Sequence, residues 1–159
     1  GITVDDRPVV SAAKVKAAAT GKPAAAIQLP DGRIITGKTS ELLGASSAML
    51  LNALKVLADI PDEVQLISPN TIGPIQELKT KHLGNRNPRL HTDEILIALS
   101  ICASTDETAG RAVRQLHNLQ GSEVHTSVIL SQVDKNVLRK LGVNLTCEPE
   151  YESNGLYHN

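Results

Sequence analysis

The chain has 159 residues, 41% of them hydrophobic, and a net charge of −1, which suits one domain, or one plus an appendage, and supplies enough apolar matter for a core. With two Tyr and neither Phe nor Trp, that core must be aliphatic; the lack of stacking platforms and of a strong field excludes nucleic acid as a partner and gives no pull toward an anionic membrane. The separated Cys102 and Cys147 form no C-x-x-C, no apolar run nears the roughly 20 residues of a membrane span, and no signal peptide is read, so a reducing, cytoplasmic setting is expected.

Residues 7 to 20, RPVVSAAKVKAAAT, predict a helix stopped by Gly21. Residues 1–22 are read as a helical arm or linker. The chain opens on Gly1 rather than Met, as a piece of a longer protein would. AAAIQLPDGRIITGK then holds two apolar runs around Pro30-Asp31-Gly32, a β-hairpin signal. A helix from about Gly44 to Ala58 follows, with Met49, Leu50, Ala53, Leu54 and Leu57 on one face. EVQLIS (63–68) reads as a short strand, and IGPIQELKTKHLG (72–84) as a helix with Lys79 and Lys81 in its last turns. Thr92 is the expected cap of a helix over 93–103, and Asp106 that of another reaching about Leu119. EVHTSVILS (123–131) reads as a strand, QVDKNVLRKLG as a helix closed by Gly142, and VNLTCEP as a last strand. The domain is expected over 23–150, with a polar tail over 151–159. The order predicts an α/β fold: a mixed β-sheet sandwiched by helices.

IITGKTSELLGASSAMLLNALK, residues 34–55, shares its layout with cytidine deaminases, in which a helix start after a hairpin carries zinc ligands. A deaminase-like topology without the zinc site is therefore one fold expectation. The chemistry is missing: Gly44 falls at the first ligand position, Ser46 at the acid–base Glu, and Asn70 and Gly73 of Pro69–Gly73 where thiolates would stand. No metal or other cofactor is expected.

Gly44-Ala45-Ser46-Ser47-Ala48 half-matches the G-x-S-x-G nucleophile elbow, but Lys38–Leu43 separate it from the strand. Three readings stay open there: small residues for close packing, an anion site of backbone N–H groups and serine hydroxyls, and a serine nucleophile with His91, His125 or Asp134 as partners. KTKHLGNRNPRLHTDE (79–94) places Lys79, Lys81, Arg86, Arg89, Asn85, Asn87 and His91 just ahead of a helix start. That suits a phosphate or carboxylate; alternatively, the arginines pin a long loop by bonding carbonyls. The pairs Asp5-Asp6, Asp62-Glu63, Asp93-Glu94 and Asp106-Glu107 read as turn or helix-start residues rather than catalytic pairs. Ser131, Gln132 and Asp134 end the 123–131 run in polar groups, as a cap or as ligand contacts at a strand's carboxyl end.

The phrases PDGRIITGKTSELLGASSAMLLNALK, HLGNRNPRLHTDEILIALSICA, HTSVILSQVD and LGVNLTCEP together resemble the C-terminal part of the bacterial family called domain of unknown function 1846, from about Asp5 to Tyr151. The resemblance implies a parent near three times this length, whose N-terminal part carries a glycine-rich phosphate loop. Here Thr36-Gly37-Lys38-Thr39 copies only the end of such a motif. The family brings no reaction, so no catalytic residues are carried over and enzyme activity stays open. The expectation is a partner domain that binds a phosphorylated small molecule through Lys38, Ser46, Ser47, Asn85, Arg86, Asn87, Arg89 and His91, completed by the parent's N-terminal domains. The alternative is an inactive deaminase-like domain serving domain packing or homo-oligomer assembly.

Overall fold

The hairpin around Pro30-Asp31-Gly32 forms: β1 (Ala24–Gln28) runs antiparallel to β2 (Ile34–Lys38), with Ile27 opposite Ile35. Gly32 turns the chain at φ +95°, a conformation that a Cβ makes costly. β1 pairs on its other side, again antiparallel, with β3 (Glu123–Thr126), and β3 pairs in parallel with β4 (Asn144–Cys147). The order is β2-β1-β3-β4, a mixed sheet. This computed structural model describes residues 7–148. Asp5, Asp6 and the start of the predicted arm, with the tail from Tyr151, lie outside the described residues.

Central β1 is buried on both faces, which is why it reads as unbroken Ala-Ala-Ala-Ile. Ala26 meets Val9, Val10 and Ala13 of α1 (Pro8–Thr20) on one face. Ala25 and Ile27 meet Met49, Leu50 and Leu54 of α2 (Ala45–Leu57) on the other. The start of α1 is pinned across the sheet: Arg7 Nε donates to Glu123 Oε1 at 3.0 Å and Nη1 to Thr146 Oγ1 at 2.6 Å. α2 lies so close to β2 that a Cβ on Gly37 would fall 2.1 Å from Met49 N, so only glycine fits there.

The remaining helices are α3 (Pro69–Glu77), α4 (Thr92–Ala103), α5 (Glu107–Val113) and α6 (Gln132–Lys140). Several expected elements differ. EVQLIS is not a strand; Leu66 and Ile67 are buried as core anchors from a turn segment, and so short an apolar run cannot distinguish the two. α3 begins three residues earlier than read, because Pro69 takes the first helical position, and Leu78–His82 winds as a π-helix. The N-cap of α4 is His91, with Thr92 inside the helix. The helix expected from Asp106 to Leu119 stops at Val113 and resumes as a short 3-10 turn, Leu116–Leu119. β3 ends at Thr126, whose Oγ1 donates to Val128 O at 2.7 Å and draws the chain into a turn. No helix among the described residues is long and apolar enough to cross a membrane.

Candidate anion site at converging helix starts

β2 and β3 both run antiparallel to β1, so their carboxyl ends lie at one edge of the sheet. There α2, α4 and α6 begin around a cavity of about 50 Å³. A water needs roughly 10–15 Å³ on this measure, so the space holds a few waters or one small oxyanion. The loops that bring the helices together are stitched by backbone bonds: Leu90 N donates to Leu42 O at 3.0 Å and Gly44 N to Leu90 O at 3.3 Å.

The helix starts are not equivalent. α6 is capped by Ser131, whose Oγ accepts from Asp134 N at 3.2 Å. At α4, Glu94 Oε1 accepts from His91 N at 2.8 Å, and Asp134 Oδ1 accepts from Thr92 N at 2.9 Å. α2 starts on Gly44 with no side-chain cap, so its first N–H groups lack that satisfaction. In that same turn Ser46 lines the cavity, is 2% exposed, and its Oγ has no hydrogen-bond partner. A buried hydroxyl left unpaired is costly and calls for an explanation. Ser47, one residue on, is spent inside the fold, donating to Leu90 O at 2.9 Å.

Opposite α2 stand His91 and Asp134. His91 Nδ1 lies 3.4 Å from Asp134 Oδ2, while Asp134 Oδ1 also accepts from Thr92 Oγ1 at 2.7 Å. The hydrogen bond to Asp134 raises the His91 pKa above the ordinary imidazole value despite burial. Burial pushes the Asp134 carboxyl up, but the bonds from His91 and Thr92 outweigh it and leave its pKa below the usual range. Ser46, His91 and Asp134 thus share one cavity, yet the Ser46 hydroxyl bonds to neither, unlike a nucleophile held by its base.

Of the residues singled out by sequence, Ser46, Asn87, Arg89, His91, Ser131 and Asp134 line the cavity. Asn87 Oδ1 accepts from Arg89 N at 3.0 Å and shapes the loop; Arg89 Nε donates to Ser40 O at 2.5 Å. Lys38 is exposed at the end of β2; Asn85 is half-buried and Arg86 exposed, all three off the cavity wall. The buried Lys79 is structural, donating to Arg89 O at 2.6 Å and Glu94 Oε1 at 2.7 Å. Pro69–Gly73, where the deaminase layout sets its second motif, opens α3 and does not line this cavity, whose further wall is the start of α6. Thr39, Thr126 and the Val128–Leu130 turn were not read as site residues; only the polar end at Ser131 and Asp134 signalled that wall. Among the described residues no group of three or more His, Cys, Asp or Glu side chains could hold a metal ion.

Residues 5–157 match the family described as "Domain of unknown function DUF1846, C-terminal". The chain is 59% identical over 157 residues to a UPF0371 protein of Corynebacterium glutamicum and 58% identical to one of Corynebacterium efficiens. It is 57% identical to a UPF0371 protein of Streptococcus pyogenes serotype M5. Each comparison covers 99% of this chain but 32% of the relative, so the chain spans about a third of the length of the curated relatives it matches. The chain belongs to the DUF1846 C-terminal family.

Proposed function

We propose that this domain binds a phosphate-type anion at the start of α2, with Ser46, Arg89 and His91 around it. One observation carries the reading: the Ser46 hydroxyl is buried without a partner, in the uncapped first turn of a helix facing a cavity. Helix-start N–H groups and a free hydroxyl are the donors that an oxyanion recruits. Because the cavity has room for one such group, the rest of a phosphorylated small molecule would lie outside it, where the preceding part of a full-length relative can close over it. The test is a melting-temperature panel of inorganic phosphate, sugar phosphates and nucleotides. A ligand at about 100 times its Kd adds roughly 2.7 kcal/mol, a shift of about 5–10 °C for a domain of this size. A panel without any shift, confirmed by calorimetry, removes this reading.

A second reading, domain packing or assembly, is favoured by the outer face of α4. Ile97 and Ile101 are 60% and 61% exposed, one turn apart, with Ser100 beside them and no charge between. Under it, an Ile97→Glu, Ile101→Glu double variant separates a complex that the unaltered chain forms. Equal masses for both chains in light scattering, alone and with the remainder of a relative, count against it.

A further inference from the structure

We infer that the cavity takes a phosphate-type dianion together with one proton, which is held on His91. This rests on the anion reading of the same cavity and adds how the anion is held. The basis is placement. His91 forms part of the wall, and its Nδ1 already faces a carboxylate, Asp134, at 3.4 Å. That carboxylate is fixed from behind, since Asp134 Oδ1 accepts from both Thr92 N and Thr92 Oγ1. A ring between a fixed carboxylate and an incoming anion has negative charge on two sides, and the imidazolium is the form both favour.

The charges around the ring come from every side. Asp134 faces it from α6. From α4, Glu94 accepts from the His91 amide at 2.8 Å, and Asp93 turns its Oδ1 to Glu94 N. From the π-helical segment, Lys79 reaches Glu94 at 2.7 Å, so those two largely cancel. Arg89 lies in the preceding loop and lines the same cavity. With Lys79 and Glu94 opposed, Asp134 is the charge that bears most directly on the ring in the free protein. A dianion in the cavity adds two negative charges and tips the balance toward a protonated His91; a monoanionic carboxylate does so with half the charge. The added proton supplies a further cationic donor beside the α2 N–H groups and the Ser46 hydroxyl.

Sulfate is the probe, because it stays a tetrahedral dianion across the pH range in which His91 titrates, whereas a phosphoester loses its second proton near pH 6. Calorimetric titration of the 159-residue chain with sodium sulfate, at fixed ionic strength from about pH 6 to 9, reads the coupling. Affinity should be greatest at the acid end and fall by up to about tenfold per pH unit above the titration of His91 in the free chain. The apparent enthalpy should follow the ionisation heat of the buffer, reporting proton uptake. His91→Asn keeps an N-cap for α4 but has no ring to protonate, so its sulfate affinity should be flat with pH. The NMR titration of His91 in the unaltered chain should move upward when sulfate is present, a readout independent of any variant. A pH-independent affinity, or a pH dependence that survives in His91→Asn, overturns the coupling and leaves anion binding standing. Absence of sulfate binding at every pH overturns both.

Discussion

Replacing Ser46 by Ala should stabilise the free domain while weakening the site. The Ser46 hydroxyl is buried without a partner, and such a group costs about 1–3 kcal/mol relative to its hydration in the unfolded chain. Alanine removes that cost and raises helix propensity by a few tenths. The low end of the range applies, because the hydroxyl borders a cavity with room for water. A net gain of about 1 kcal/mol, or roughly 2–4 °C in Tm, follows. Ser47→Ala is the control: it loses a buried bond of 2.9 Å to Leu90 O, which keeps the longer bond from Gly44 N at 3.3 Å, and should cost about 1 kcal/mol. Sulfate affinity should fall at least about tenfold in Ser46→Ala, the scale of a hydrogen bond to a charged group. Urea denaturation by circular dichroism and calorimetry with sulfate read both effects. If Ser46→Ala lowers the urea midpoint as much as Ser47→Ala does, the hydroxyl is satisfied in the free protein and holds no unmet bond for an anion.

Gly37→Ala should cost about 3 kcal/mol or more in chemical denaturation, because the new methyl meets Met49 backbone, at 2.1 Å from N and 2.6 Å from Cα, and backbone cannot swing aside; a loss under 1 kcal/mol would contradict the tight β2–α2 contact. Lys79→Met keeps the apolar stem but strips a donor from Arg89 O and Glu94, for about 2–3 kcal/mol, at the low end of a broken buried pair because the Glu94 side chain is 25% exposed; a neutral result would mean that the loop needs no such anchor. In NMR the histidines should separate. His91, raised by its bond to Asp134, contributes stability present below about pH 6.5 and lost as pH rises through its folded-state pKa. His125, lowered by burial that outweighs its contact with Glu148, works the other way: its contribution is full above about pH 6.5 and lost as pH falls toward its folded-state value. Identical titrations for both rings would contradict these placements.

The α/β class, the hairpin and the starts of α5 and α6 were legible because each carries a local cause: Gly32 for a positive φ, Asp106 and Ser131 as caps, Met49 and Leu50 on one helical face. Side-chain destinations were not. Ser46 and Ser47 are neighbours of identical chemistry, but helical geometry turns them about 100° apart, one to a cavity and one to a carbonyl. The cationic stretch was half legible: Arg89 and His91 reach the cavity, whereas Lys79 is consumed as an anchor and Arg86 is left exposed. Nothing local in Lys79 distinguishes a buried tether from a solvated cation, since both are lysines at the end of a helix. EVQLIS failed for the same reason, as burial of Leu66 and Ile67 needs no strand partner.

The use of charge in this loop bears on the proposed anion binding. Lys79 is spent on Arg89 O and Glu94, and Glu94 on the His91 amide, so this network sets the backbone from Arg89 to His91 and its two charges act on His91 in opposite senses. Asp134 fixes Thr92 and leaves its second oxygen to His91. Donors at the cavity wall are Arg89, whose Nε is tied to Ser40, the uncapped start of α2, and whatever proton His91 carries. Two of these are built in. Only the third varies with pH, so under the proposed anion binding His91 is the group through which pH would set its strength.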